Sequence, residues 1–556
     1  MKYIRKLVFL LKIKLFFLKK KLQGSVRFIT WRIKMSHIPI TNSLADLYRW
    51  RVKQSSNDIA FKFLNRETTY KEHDCNANKV AQGLIAEGCK PNTRVAFLAK
   101  NSDYYCELLY GSLKSRTVLV GINWRLAAPE AAFILNDSQS EILFVGPEFY
   151  DLVKQIEKEI PSVRRIITME DNHGDWVSYE SWRDAQEDQD PMLAGQLDDD
   201  MIQLYTSGTT GHPKGVQLTN SNLLAATPMV QQTWGRDWHE GSINMVCSPV
   251  FHVAGSNIAI MGFIFGCKNI IIPEADPGNI LKLIETEKIE LALMVPALIL
   301  FVLQHPDSKK TDFSSVRQIV YGASPIAEDT LLKAMEVMQC DFWHVYGLTE
   351  TSGLGTTMLP EYHDPSLNKL RSCGQVYPGI KVKIVDTDNQ ELGVGEIGEI
   401  LIHSASTMKG YWNRPDATAE SIVDNWFYTG DAGYLDEDGF LYIHDRVKDM
   451  IISGAENIYP AEVENALMGH PEIADAAVVG IPDESWGESV KGFVILETNS
   501  TLTEEEIIEY ARDQIAHYKC PKSINFIEEM PRNPSGKILR KDLRAPFWKG
   551  KERNVS

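Results

Sequence analysis

Between the apolar run Met201 to Leu204 and a helix expected to open near Asn220 lies Tyr205-Thr206-Ser207-Gly208-Thr209-Thr210-Gly211-His212-Pro213-Lys214-Gly215-Val216. Its residue types are those of a phosphate loop. Backbone N–H groups freed by Gly208, Gly211 and Gly215, with the hydroxyls of Thr206, Ser207, Thr209 and Thr210, can surround an oligophosphate whose charge Lys214 partly neutralises. It is not a Walker loop, which needs Gly-Lys followed directly by Ser or Thr; here Pro213 precedes the lysine and Gly215 follows it. A Ser/Thr/Gly-rich linker would need no lysine and seldom sits between runs this apolar.

Other stretches could serve the same ligand. Tyr321-Gly322-Ala323-Ser324-Pro325 ends a strand and opens a helix, where an α/β sheet usually holds ligand. Phe342 to Glu350 offers an aromatic face, the Thr349 hydroxyl and the Glu350 carboxylate. A triphosphate needs magnesium, which takes one or two carboxylates plus waters and phosphate oxygens, so Glu350 is the expected ligand, with Thr206 beside it. In Tyr428-Thr429-Gly430-Asp431 a carboxylate held by a turn can accept from both hydroxyls of a ribose. Ser248 to Gly255 mixes bulk with glycine as pocket walls do, and contains His252. Near the end of the chain, two prolines and a glycine in Pro531 to Arg540 fix a turn that presents Lys537.

The phosphate loop, Tyr346-Gly347-Leu348-Thr349-Glu350, Tyr428 to Asp431, the run from Asp445 to Pro460, and Pro534-Ser535-Gly536-Lys537 occur in the order and spacing of the adenylate-forming superfamily. The chain resembles that family of acyl-CoA synthetases, adenylation domains and luciferases over everything after residue 40, and is most similar to its fatty-acid:CoA ligases. The resemblance implies an α/β fold: a large domain of mostly parallel sheets with a β-barrel-like subdomain, then a small mobile α+β domain. It implies ATP, Mg2+ and coenzyme A as cofactors and co-substrates. Gly322, Ala323, Ser324 and Tyr346, with Gly347, would then face adenine, and Arg446 would join Asp431 at the ribose. Lys448 would be the hinge, Gly454 would border the pantetheine arm, and His252 would border the acyl carboxylate. Lys537 would be the catalytic lysine. Relatives usually have a second glycine where this chain has Ala455.

The elements needed to position these residues are legible as alternation. Short apolar strands are expected at 94–99, 118–122, 141–145, 165–169, 244–248, 269–273, 291–295 and 318–322, with helices between them, the first capped by Asn101. An acidic, solvated connection is expected from 170 to 200, and a capping box at Thr503 and Glu506 opens a helix through Tyr518. Expected units are an extension over 1–34, a large ATP- and acid-binding domain over 35–447, and a small domain over 448–556.

With 556 residues and 44% apolar content, the chain can bury a core larger than one domain needs. A net charge of −16 and the absence of any DNA- or RNA-binding signature argue against nucleic acid. Eight cysteines without a C-x-x-C pair argue against a disulfide framework or a zinc site and suit a cytoplasmic setting. Residues 1–34 hold eleven Lys or Arg and no acid, interleaved with apolar runs too short to span a bilayer. Three readings stay open for them: an arm lying peripherally on the anionic cytoplasmic membrane face, a disordered arm, or an over-extended translation start. A homodimer is likewise left open.

The expected reaction joins a carboxylic acid, of medium or long chain, to AMP and then to CoA. An aryl or steroid-side-chain acid is the alternative, because His344 and Val345 depart from the Gln-Gly pair of fatty-acid relatives. A catalytically silent nucleotide- or lipid-binding relative is the rival from another class.

Overall fold

The computed structural model describes residues 38–206, 213–324, 326–446, 449, 451–453, 456–458, 460–483, 487–515, 517–532 and 538–549. These residues form two large sheets and two small ones. In the nine-stranded sheet, Ile59–Phe63, Lys268–Ile271, Ile243–Val246, Leu291–Met294, Gln318–Gly322 and Asp341–Tyr346 run parallel, with antiparallel strands at each edge. In the eight-stranded sheet, Asp200–Thr206, Val118–Gly121, Arg94–Leu98, Ile142–Val145, Arg165–Thr168 and Val177–Ser178 run parallel. Lys214–Thr219 and Gly410–Tyr411 are added antiparallel.

Strands such as Arg94–Leu98 and Ile142–Val145 are buried along their whole length because helices cover both faces. One apolar cluster joins the sheets, drawing Phe97, Leu119 and Phe144 from one and Phe61, Leu291 and Trp343 from the other. Two further clusters fill the outer faces. After residue 380 comes a five-stranded antiparallel sheet containing Lys381–Val385, Gly398–His403 and Trp426–Leu435. The smaller C-terminal domain has its own five-stranded sheet, built on the long pair Ile473–Asp483 and Gly487–Leu496, and its own core around Val478, Val490 and Ile507.

Several expectations are corrected. Ser102, not Asn101, is the N-cap of the helix Asp103–Ser115. The Asn101 amide instead donates to Ser248 O at 3.0 Å and accepts from Val250 N at 2.9 Å, bolting one sheet to a loop of the other. The Thr503–Glu506 capping box is present, but its helix ends at Gln514. Segment 170–200 is solvated only in part: 184–198 is largely exposed, but Trp176, Tyr179 and Trp182 are buried, and Asp190 and Asp199 carry ion pairs. Within the run from Asp445 to Pro460, Ile451–Ser453 pairs antiparallel with Glu456–Ile458, and the helix Pro460–Met468 follows.

Candidate functional site

The residues that could bind a nucleotide gather where strands of both large sheets end, as the carboxyl-edge rule requires. Thr206 ends one strand and Lys214 begins the next, and the two are register partners. The turn between them, with Ser207, Gly208, Thr209, Thr210 and Gly211, lies outside the described residues. Its base is anchored from behind. Tyr205 donates its hydroxyl to Asp137 at 2.8 Å, and Asp137 also takes Arg414 at 2.5 Å. At the far end of the same strand, Arg94 and Asp200 form a buried ion pair at 2.6 Å.

Glu350 sits in the 3-10 turn Thr349–Thr351, only 8% exposed. Its carboxylate Oε1 accepts from the Tyr411 hydroxyl at 2.9 Å and from Thr206 Oγ1 at 3.4 Å. Lys214 Nζ lies 4.9 Å from the centre of the Tyr411 ring. Two hydroxyls, a cation and a carboxylate from four separate stretches thus meet at one point. Just before this turn the backbone folds tightly: a Cβ on Gly347 would stand 2.3 Å from Gly353 C, so only glycine fits.

The residues expected around the nucleoside stand at the ends of two neighbouring strands, Gln318–Gly322 and Asp341–Tyr346. A Cβ on Gly322 would come within 2.1 Å of Val345 O, and Ala323 takes a left-handed φ of 69°, turning the chain away before Ser324. Tyr346, buried at the tip of its strand, donates its hydroxyl to Asp431 Oδ2 at 2.8 Å. Asp431 was expected in a turn and instead lies within the strand Trp426–Leu435, beside Gly430 at φ 68°. Its N–H donates to Thr429 Oγ1 at 3.1 Å. Burial pushes the Tyr346 hydroxyl well above its ordinary value, and the Asp431 charge adds to that. Arg446 is the backbone register partner of Asp431. Lys448, Gly454 and Lys537 lie outside the described residues.

His252, expected to border the acyl carboxylate, is the residue before the helix Val253–Ile264. Burial, helped by nearby Arg125, lowers its pKa to about 4, so the ring is neutral at neutral pH. Its Nε2 is buried with no hydrogen-bond partner among the described residues. The loop holding it presses on the other sheet: a Cβ on Gly121 would stand 2.9 Å from Phe251 Cα.

Three residues of this region escape sequence reasoning: Tyr411, Asp137 and Asn101. Tyr411 lies in a two-residue strand with no periodicity to mark it. Asp137 and Asn101 act through partners far along the chain, which composition cannot pair.

Residues 48–412 match the family model described as AMP-binding enzyme, and residues 462–537 match that of the AMP-binding enzyme C-terminal domain. The chain is 38% identical over 524 residues to a fatty acid–[acyl-carrier-protein] ligase of Streptomyces coeruleorubidus, covering 94% of this chain and 99% of the relative. It is 37% identical over 483 residues to a long-chain-fatty-acid–CoA ligase of Mycobacterium tuberculosis, covering 86% and 93%. The solved fatty acyl CoA synthetase of Mycobacterium tuberculosis shares the fold with a TM-score of 0.73 at 34% identity, covering 92% of this chain and 99% of that one.

Proposed function

Because the chain belongs to the AMP-binding, adenylate-forming enzyme family, we propose that it is an AMP-forming acid–thiol ligase acting on fatty acids of medium or long chain. A carboxylate is a poor acyl electrophile, since attack adds charge to an anion and must expel oxide. In the first half-reaction a carboxylate oxygen bonds to the ATP α-phosphorus as the α–β bridging bond breaks, releasing pyrophosphate. In the second a thiolate sulfur attacks the acyl carbon, the acyl–phosphate C–O bond breaks, and AMP leaves.

The observation that carries this reading is the convergence of Thr206, Lys214 and Glu350 beside the Tyr346–Asp431 pair. Lys214 and the hydroxyls of Thr206 to Thr210 hold phosphates, and Thr349 stands beside Glu350. Gly322, Ala323, Ser324 and Gly347 give adenine a close backbone approach, with Tyr346 on its face. Asp431 and Arg446 take the ribose. His252, neutral and half-buried, walls the acid site; an ionised acid needs no base. The donor set suits magnesium: Glu350 is a single buried carboxylate, and among the described residues no cluster of three His, Cys, Asp or Glu offers an all-protein cage. Magnesium bound there supplies charge neutralisation for the phosphates. Lys537 holds the acid and α-phosphate oxygens together as charge develops.

The lobes 35–447 and 448–556 rotate about Lys448, exchanging Lys537 for Gly454 between half-reactions. Coenzyme A is the proposed acceptor. The relative from Streptomyces supports a second reading, in which the thiol is carried by an acyl carrier protein. The cytoplasm is the proposed setting, with residues 1–34 on the membrane face; among the described residues no helix is long and apolar enough to cross a membrane.

The test is AMP release from ATP with a panel of acids from short to long chain, with coenzyme A or holo carrier protein as acceptor. Lys537→Ala should abolish acid-dependent ATP–pyrophosphate exchange and leave thiolysis of a supplied acyl-adenylate largely intact. No AMP from the wild type with any acid would sink the function, and equal loss of both half-reactions would sink the division of labour.

A further inference from the structure

The triphosphate subsite contains opposite charges in one cleft. An ammonium and a carboxylate so placed attract one another, and their direct pairing would fill the space a phosphate and its cation must enter. Among the described residues Lys214 forms no ion pair. Its neighbour is instead the Tyr411 ring, 4.9 Å from Nζ to centroid, while the same tyrosine donates its hydroxyl to Glu350 at 2.9 Å. The two ends of this side chain suit the two charges. The ring face is electron-rich and attracts the ammonium, and the phenolic O–H is a donor that a carboxylate accepts strongly.

Tyr411 is also held so that it cannot follow either charge. Tyr411 is the register partner of Val216, two residues from Lys214. Trp412 N donates to Gly215 O at 2.7 Å, and Tyr411 N donates to Thr418 Oγ1 at 2.9 Å. The residue is only 9% exposed. Backbone pairing thus ties the ring to the strand carrying Lys214, and its hydroxyl reaches the separate turn carrying Glu350.

We propose that Tyr411 is a positioning residue, acting through Lys214 and Glu350. It keeps cation and carboxylate apart and preset, one for the phosphates and the other for the divalent cation that accompanies them. The inference rests on the nucleotide-binding reading above and goes beyond it by assigning the spacing of the two charges to one side chain.

The experiment compares wild type with Tyr411→Phe and Tyr411→Leu by calorimetric titration of ATP, once in EDTA and once in saturating Mg2+. Tyr411→Phe keeps the ring and loses the donor to Glu350. It should bind ATP in EDTA like wild type yet lose roughly tenfold of the Mg2+-dependent gain. Tyr411→Leu should lose several-fold in EDTA as well, with the cation–π contact gone. In a double-mutant cycle, Tyr411→Phe and Glu350→Gln should be strongly non-additive in the Mg2+-dependent gain. Because a truncated ring can upset folding, a fluorinated tyrosine at 411 gives a shape-preserving arm. Its weakened ring face should lower ATP affinity in EDTA. A wild-type Mg2+-dependent gain in Tyr411→Phe, additivity in the cycle, or unaltered affinity on fluorination each overturns the proposal. Failure of the wild type to bind ATP at all would count against the function instead.

Discussion

Asp200→Asn removes one charge from an enclosed ion pair at the start of the strand that Thr206 ends. Arg94 and Asp200 meet at 2.6 Å with side chains only 4% and 3% exposed. Asp200 also accepts from Gln217 at 2.6 Å and Lys409 at 3.1 Å, and the Arg94 guanidinium lies 3.4 Å over the Trp412 ring. Asparagine keeps the shape and leaves a buried guanidinium without its counter-charge. Stranding such a partner costs about 3–5 kcal/mol. With an unfolding entropy near 2.1 cal/mol/K per residue and a large domain of roughly 400 residues, that corresponds to a fall of about 4–6 °C in thermal midpoint. The control is Lys310→Met, which breaks the Lys310–Asp307 pair at 3.2 Å, whose side chains are 78% and 59% exposed. Solvent and salt screen that pair, and no resolvable shift is expected. Scanning calorimetry of the three proteins in one buffer makes the comparison. Equal midpoints for the two variants would refute the reasoning, because it makes burial rather than the number of ion pairs decide the cost.

Histidines that packing keeps neutral give a pH dependence of known sign. Burial lowers His73 to about 3 and His252 and His344 to about 4, each from an ordinary 6.5. Below about pH 6.5 the unfolded chain takes up protons that the native state refuses, so stability is full above that pH and is lost progressively down to about pH 4, and to about pH 3 for the His73 share. The thermal midpoint should fall across this window, less steeply in His252→Phe; parallel slopes would remove His252 from the account. Residues 1–34, with eleven basic and no acidic side chains, should carry the full chain onto anionic vesicles at low salt and release it at high salt. Co-sedimentation measures this, and equal binding by a chain starting at Met35 would exclude the arm.

The local chemistry was written in the sequence. Apolar strands alternating with helices demand mostly parallel sheets covered on both faces, and a run crowded with glycine and hydroxyls before Lys214 marks where to look for a phosphate site. Caps made by near neighbours, such as Thr503 with Glu506, were legible because both partners lie within one turn. Pairings across the chain were not. Asn101 reads as a cap because it precedes a helix, yet its amide is used on a loop 147 positions away. The acidic run before the phosphate loop reads as solvated, yet Asp199 and Asp200 are held by Arg116 and Arg94. Tyr411 has no sequence signal at all. Its place between Lys214 and Glu350 exists only once three distant stretches are folded together, since side-chain contact is settled by packing in space and not by order along the chain.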